Sequence, residues 1–394
     1  IFNAWSDLEW VNEGAAVRVS LICFGDSAQG AELDGAAVGT ITSSLVELVH
    51  HDIAKAAALA ENVGHGFQGI TPRAEIQKKR RIALGLPEAS FNLAGDQARD
   101  MLRLPANVRG ERMAEVVRPY WIADDITTRP LGRFIVFLGE RDELNAAMFE
   151  APFNAIANVR LHREQMEDAK DYPWWRLWRP RSAMFAALAG LSRFISIPRV
   201  SKHHICLWTP AGVVPGDAIV VIARDDDTTL GVLQSHIHEV WALRQGSALE
   251  DRPRYTHTTS FETFPFPEGL TPNIAAQDYA DNPHTQAIAT AARALVEARD
   301  RWLNPPEWVN WERTPEEEAA GFPARPVAKP GHEAALKRRT LTNLYNERPA
   351  WLAMLHRTLD EAVATAYGWE WPLTDDEILR RLFELNQQRS AAQS

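Results

Sequence analysis

The chain has 394 residues, 45% of them hydrophobic and 24% charged, which is enough for more than one packed core. A formal net charge of −10 at pH 7 excludes a uniformly basic coat for nucleic acid but leaves room for a local basic site. The two cysteines, Cys23 and Cys206, lie in apolar runs, which argues against a disulfide framework or zinc ribbon and fits a cytoplasmic, reducing setting. No run reaches the roughly 18 apolar residues that suggest a membrane span, so no membrane partner is expected.

IFNAWSDLEW at the start is acidic, has no basic-then-apolar leader and lacks a Met, so the chain is expected to begin inside a larger protein. AAVRVSLICF (15–24) is a predicted strand, LDG (33–35) a turn, AAVGTITSSL a second strand, and residues 53–62 a short helix. EIQKKRRIALGL reads as a basic helix or turn, GDQARDMLRL as a helix stopped by Pro105, and GRFIVFLG (132–139) as a strand. ERDELNAAMFE and residues 154–170 follow as helices, then SAMFAALAGLSRFI as a small-residue helix. RVSKHHICLW, DAIVVIARDD and LGVLQSHIHEVWAL are predicted as strand, strand and strand-to-helix. Residues 252–267 are expected to be extended, because of their prolines and threonines. In the last third, 285–303 is an amphipathic helix and the proline-rich stretch 304–332 a loop. Trp351 to Val363 form another amphipathic helix, stopped at Tyr367-Gly368, and Thr374 to Glu377 is a capping box for a final helix.

Charge distribution carries the strongest functional signal. Between Asp171 and Asp217 there is no Asp or Glu, while Arg176, Arg179, Arg181, Arg193, Arg199, Lys202, His203 and His204 fall inside that interval. Positive potential gathered in an anionic chain should attract a polyanion, and Arg forks suit phosphate oxygens and guanine edges. The interval opens on YPWWRLWRPR (172–181), whose tryptophans are expected to pack while Arg179 and Arg181 face outward.

Other motifs carry less. Asn304-Pro305-Pro306-Glu307 lacks the aromatic of an adenine methyltransferase signature and follows a helix, so it reads as a helix-stop loop. Phe24-Gly25-Asp26 has no second glycine at cofactor-loop spacing. His236 and His238 would share a strand face, and Asp225-Asp226-Asp227 is a polar turn; together they form the basis of an alternative reading as a metal-dependent hydrolase.

Five long stretches resemble the C-terminal part of MmeI-like restriction–modification enzymes of Type IIG/IIL. They are AWSDLEWVNEGAAVRVSLICF (4–24), WWRLWRPRSAMFAALAGLSRFISIPRVSKHHICLW (174–208), ARDDDTTLGVLQSHIHEVWAL (223–243), PRYTHTTSFETFPFP (253–267) and LTNLYNERPAWLAMLHRTLDEAVATAYGW (341–369). The resemblance implies a mixed α+β architecture in three parts: the end of a methyltransferase domain (1–70), a β-rich DNA target-recognition domain with inserted helices (71–270), and a helical C-terminal domain (271–394). It implies duplex DNA as the partner, together with N-terminal methyltransferase and nuclease parts that precede the aligned segment. S-adenosylmethionine would serve the full-length enzyme in adenine methylation for phage defence, with no cofactor residue and no catalytic residue in this chain. The residues expected at DNA are Arg179, Arg181, Arg199, Ser201, Lys202, His203, Ser235, His236, Arg254, Tyr255, Thr256 and Thr258. A structural or protein-interaction subunit of a defence complex is the remaining alternative, with the Trp-rich stretch as its partner surface.

Overall fold

The computed structural model describes residues 1–12, 15–25, 30–38, 41, 56–249 and 252–393. It is a mixed helix-and-sheet fold. Its N-terminal sheet orders strands Ala15–Cys23, Asn3–Asn12, Ala31–Leu33 and Ala36–Val38, the first two antiparallel and Asn3–Asn12 parallel to Ala31–Leu33. The LDG turn closes the last pair as a two-residue hairpin with both Asp34 (φ 50°) and Gly35 (φ 81°) left-handed, a twist that matches the flanking strands. The rest of the predicted second strand, apart from Ile41, and the start of the predicted 53–62 helix lie outside the described residues. Residues 56–62 are not helical: buried Asn62 instead donates its amide to the carbonyls of Phe261 and Phe264, which ties this turn to the core.

A central antiparallel sheet runs Leu207–Pro210, Arg193–Pro198, Ile219–Ile222, Gly66–Gln68. Its two inner strands are buried on both faces, which is why IVVI is a continuous apolar run with no alternation. Phe194, Ile219 and Val221 point into one core, while Ile195, Ile197, Val220 and Ile222 point into the other. The first core also packs a second sheet, ordered Val214–Pro215, Val117–Trp121, Phe134–Val136, Asn92–Leu93. The second core is covered by helices Asp227–Gln234, His236–Gln245, Pro283–Leu303, Leu341–Glu347, Ala350–Ala366 and Asp375–Gln393. Among the described residues no helix is long and apolar enough to cross a membrane.

Further expectations are corrected. SAMFAALAGLSRFI is helical only over Ser182–Leu188 and then enters the strand Arg193–Pro198, and the 154–170 stretch is helical no further than Arg163. RVSKHHICLW is a loop as far as Cys206, because the Gln234 amide takes the place of a neighbouring strand: it accepts from Cys206 N (2.8 Å) and donates to His204 O (3.2 Å). LGVLQSHIHEVWAL is helical throughout apart from the Ser235 junction. Asp226 caps the first helix through Thr229 N (2.8 Å) and Ser235 caps the second through His238 N (3.4 Å). Residues 252–267 are not all extended; His257–Phe261 makes one π-helical turn, with the prolines of the segment falling outside it. The 304–332 stretch contains a hairpin, Val309–Glu312 with Arg325–Ala328, and a short helix Pro315–Ala319. A Thr314–Glu317 capping box starts that helix. The NPPE motif is a helix stop, and Asn304 accepts from Arg129 Nε at 2.9 Å.

Candidate nucleic-acid interface

Main-chain pairing assembles the site. Beyond Pro198 the chain continues as a short antiparallel contact: Tyr255 N donates to Arg199 O (2.9 Å), Ser201 N donates to Pro253 O (3.4 Å), and Val200 bridges Arg254. Strand Arg252–Arg254 has Ser247–Leu249 on its other side. Arg199 and Arg254 therefore stand side by side, and with Ala123, Val200, Asp217 and Ala218 they line an open hollow.

Arg179 and Arg181 enter from a third segment. Thr71 and Arg179 exchange backbone hydrogen bonds (3.3 and 3.1 Å), which docks the RPR stretch against the strand end at Gln68. Arg181 is left-handed (φ 60°), a conformation that costs a non-glycine residue about 1–2 kcal/mol. Its guanidinium donates to Gly69 O and Gln68 Oε1, both at 3.3 Å. Gly69 leaves no room for a side chain, since a Cβ there would lie 2.2 Å from Gly216 O. This close approach holds the carbonyl that positions Arg181.

The cations sense one another. Burial first, and then the charges of Arg179 and Arg199, hold the Arg181 pKa below its ordinary value. Burial and the Arg254 charge do the same to Arg199, and His257 is lowered by burial and by Arg181 and Arg199. Asp217 is the carboxylate that opposes this repulsion, but among the described residues it forms no ion pair with any of these groups. The buried Nε of Arg254 has no hydrogen-bond partner among the described residues, although a buried donor of this kind normally has one. Four guanidinium groups brought together, none paired with a carboxylate among the described residues, make a face that suits an anion.

Other cations of the carboxylate-free interval are spent elsewhere. Arg193 pairs with Asp227 (2.9 Å) and stacks on Trp208, and Arg176 donates to the carbonyls of Glu140 and Arg141. The tryptophans pack: Trp174 lies against Phe153 and Trp175, Trp175 donates to Arg141 O, and Trp178 is covered by Arg73.

The remaining predicted contacts divide. Lys202 and Thr258 are exposed, and Ser201 and Thr256 are half-buried beside the Arg199–Arg254 contact. His203 turns toward helix Leu341–Glu347, where its Nε2 meets Asn346 Oδ1 at 3.0 Å. Ser235 and Tyr255 are interior, Ser235 as a helix cap and Tyr255 with its hydroxyl 3.0 Å from His238 Nε2, so neither side chain faces the hollow. His236 faces Asp375 (2.8 Å) and Glu239 (3.4 Å). Sequence reasoning missed Gln68, Asp217 and His257 as members of the site. Asp217 and His257 had a faint signal, one as the border of the carboxylate-free interval and the other inside the RYTHTT run.

The arrangement needed for the metal-hydrolase alternative is not present. His236 and His238 lie two apart on a helix and diverge by about 200°. Asp226 is a cap paired with Arg224, and Asp227 holds Arg193 and Arg293. Among the described residues no group of three or more His, Cys, Asp or Glu could hold a metal ion.

The His236 latch predicts a pH dependence. Glu239 first, and Asp375 with it, raise the His236 pKa from 6.5 to about 9 despite partial burial. A raised folded-state value means that the latch stabilises fully below pH 6.5 and is lost as pH rises through 9. Urea-unfolding midpoints measured across that window should fall with pH in the parent protein, and His236→Gln should flatten that part of the fall. An identical slope in the variant contradicts the assignment.

Residues 93–268 match the family model described as the MmeI target recognition domain, and they include most of this site. The fold is similar to a solved structure of the Type IIL restriction-modification enzyme MmeI in complex with DNA, with a TM-score of 0.63 and 17% sequence identity. That alignment covers 99% of this chain and 46% of the MmeI chain, so this chain spans less than half the length of that enzyme. No curated protein matches the sequence.

Proposed function

We propose that this chain, which carries a target recognition domain of the MmeI family, grips duplex DNA and selects its sequence for an adenine methyltransferase of a restriction–modification system. The observation that carries this reading is the Arg179–Arg181–Arg199–Arg254 face, assembled from three separate segments and left without a carboxylate partner among the described residues. Phosphates would neutralise the outer guanidiniums. Arg199 and Arg254, on an extended backbone beside Asp217, are suited to base edges in a groove. In the intact enzyme the clamped duplex would present a flipped adenine to the upstream catalytic part, where S-adenosylmethionine supplies the methyl group. The work of this chain is binding and orientation, and no methyl-transfer step passes through its residues.

Fluorescence anisotropy with a labelled duplex tests this. The two phosphate contacts predict a loss of affinity of about 10-fold between roughly 50 and 200 mM salt. Absent binding, or binding indifferent to salt, refutes the reading.

A further inference from the structure

We propose that helix Lys78–Ala83 is a second, sequence-independent phosphate grip on the same duplex, set beside the arginine face and outside the matched recognition segment. This inference rests on the DNA-binding reading above and extends the surface that makes contact.

Three observations converge. First, the helix buries none of its residues, so hydrophobic packing does not account for it. Lys78, Lys79 and Arg80 are all exposed, and none forms an ion pair with a carboxylate among the described residues. The neighbouring carboxylates are largely committed. Glu75 and Glu88 pair with Arg81 (2.7 and 3.1 Å), which anchors the helix to the body, and Asp168 pairs with Arg73 (2.7 Å). Glu167 shares a hollow with Arg80 without pairing with it.

Second, the charges break the local rules for a helix. Its first turn has no acidic residue and no side-chain cap, and it begins with Lys78 and Lys79, although positive charge is unfavourable at that end of the helix dipole. Positions that break several local rules at once without a packing gain are characteristically functional or strained ones. An external anion would relieve the repulsion among three adjacent cations.

Third, the helix is tied to the arginine face. Thr71 pairs with Arg179, Trp178 N donates to Pro72 O, and the Arg73 guanidinium lies 4.6 Å from the centre of the Trp178 ring. Lys78 lies seven positions after Thr71, a reach of at most about 25 Å. A duplex turn is about 34 Å long, so the separation of the two places falls within one turn of DNA.

The test uses the full chain with Lys78→Gln, Lys79→Gln and Arg80→Gln combined. The slope of log affinity against log salt should fall by about 2–3, at about 0.9 per phosphate contact, and by the same amount for duplexes of unrelated sequence. The thermal midpoint should not fall, because no buried residue is altered and the removed charges repel one another. A control, Arg357→Gln with Arg380→Gln, removes exposed arginines of the C-terminal helices that pair with Glu361 and Glu377, and should leave the slope in place. If the parent chain binds DNA with salt sensitivity and the triple variant keeps the parent slope, the second grip is refuted while the recognition reading stands. If the loss falls on one duplex sequence only, sequence-independent contact is refuted. A parent chain that does not bind DNA overturns both proposals.

Discussion

Replacing Arg179, Arg181, Arg199 and Arg254 together with glutamine is expected to weaken duplex binding by about 10³-fold at low salt. Each guanidinium on phosphate or a base edge contributes at least about 1 kcal/mol, and four such losses approach 4 kcal/mol. The salt slope should fall by about 2 in parallel, at about 0.9 for each phosphate-bound guanidinium. Single variants then separate the roles. A residue that touches phosphate lowers affinity alike for all sequences, whereas a residue that reads a base also relaxes preference at one position of a randomised site. Arg181→Gln has a further consequence, because its guanidinium braces Gly69 O and Gln68 Oε1; the thermal midpoint should be recorded alongside. A quadruple variant that binds within a few-fold of the parent, while melting normally, removes the basis of the interface.

Arg299→Met should destabilise the helical core by about 3 kcal/mol or more. Arg299 is 1% exposed and sits where the loop before Leu207 meets the C-terminal helices. It donates to Gln234 Oε1 (2.8 Å), Tyr345 OH (3.0 Å) and Cys206 O (3.0 Å). Gln234 in turn holds His204 and Cys206, and Tyr345 meets His356 Nε2 at 2.9 Å. Methionine fills much of the volume but leaves buried acceptors without their donor, at about 1–3 kcal/mol each. The same network carries the loop that contains Lys202 and His203, so the variant should also weaken DNA binding with all four interface arginines intact. The midpoint of urea unfolding, followed by tryptophan fluorescence, measures the first effect. A loss below about 1 kcal/mol means that the buried guanidinium is not the keystone of this core.

Much of the architecture is legible along the chain. IVVI at 219–222 reads as a strand, and a strand it is. The 285–303 periodicity had to be an amphipathic helix, and Thr374 to Glu377 had to start another. These are local signals, carried by side chains within a turn or a strand of one another. One misread stretch has a distant partner, and another turns on helix caps that its apolar composition masks. RVSKHHICLW has strand composition, but the amide of Gln234 satisfies its backbone, so no neighbouring strand is required. LGVLQSHIHEVWAL has the β-branched and apolar look of a strand, and the caps at Asp226 and Ser235 outweigh it.

The chemistry divides in the same way. By itself the sequence determined that positive charge is concentrated between residues 171 and 217, because composition is a property of the chain whatever its shape. Only the tertiary structure decided which of those cations remain available. Arg193 meets Asp227, 34 residues away, and leaves the set. Arg199 meets Arg254, 55 positions later, through one antiparallel contact, and the two define the hollow. The physical reason is that an ion pair or a shared face depends on distances of a few ångströms between residues far apart in the chain, and such distances exist only once the strands and loops are in place.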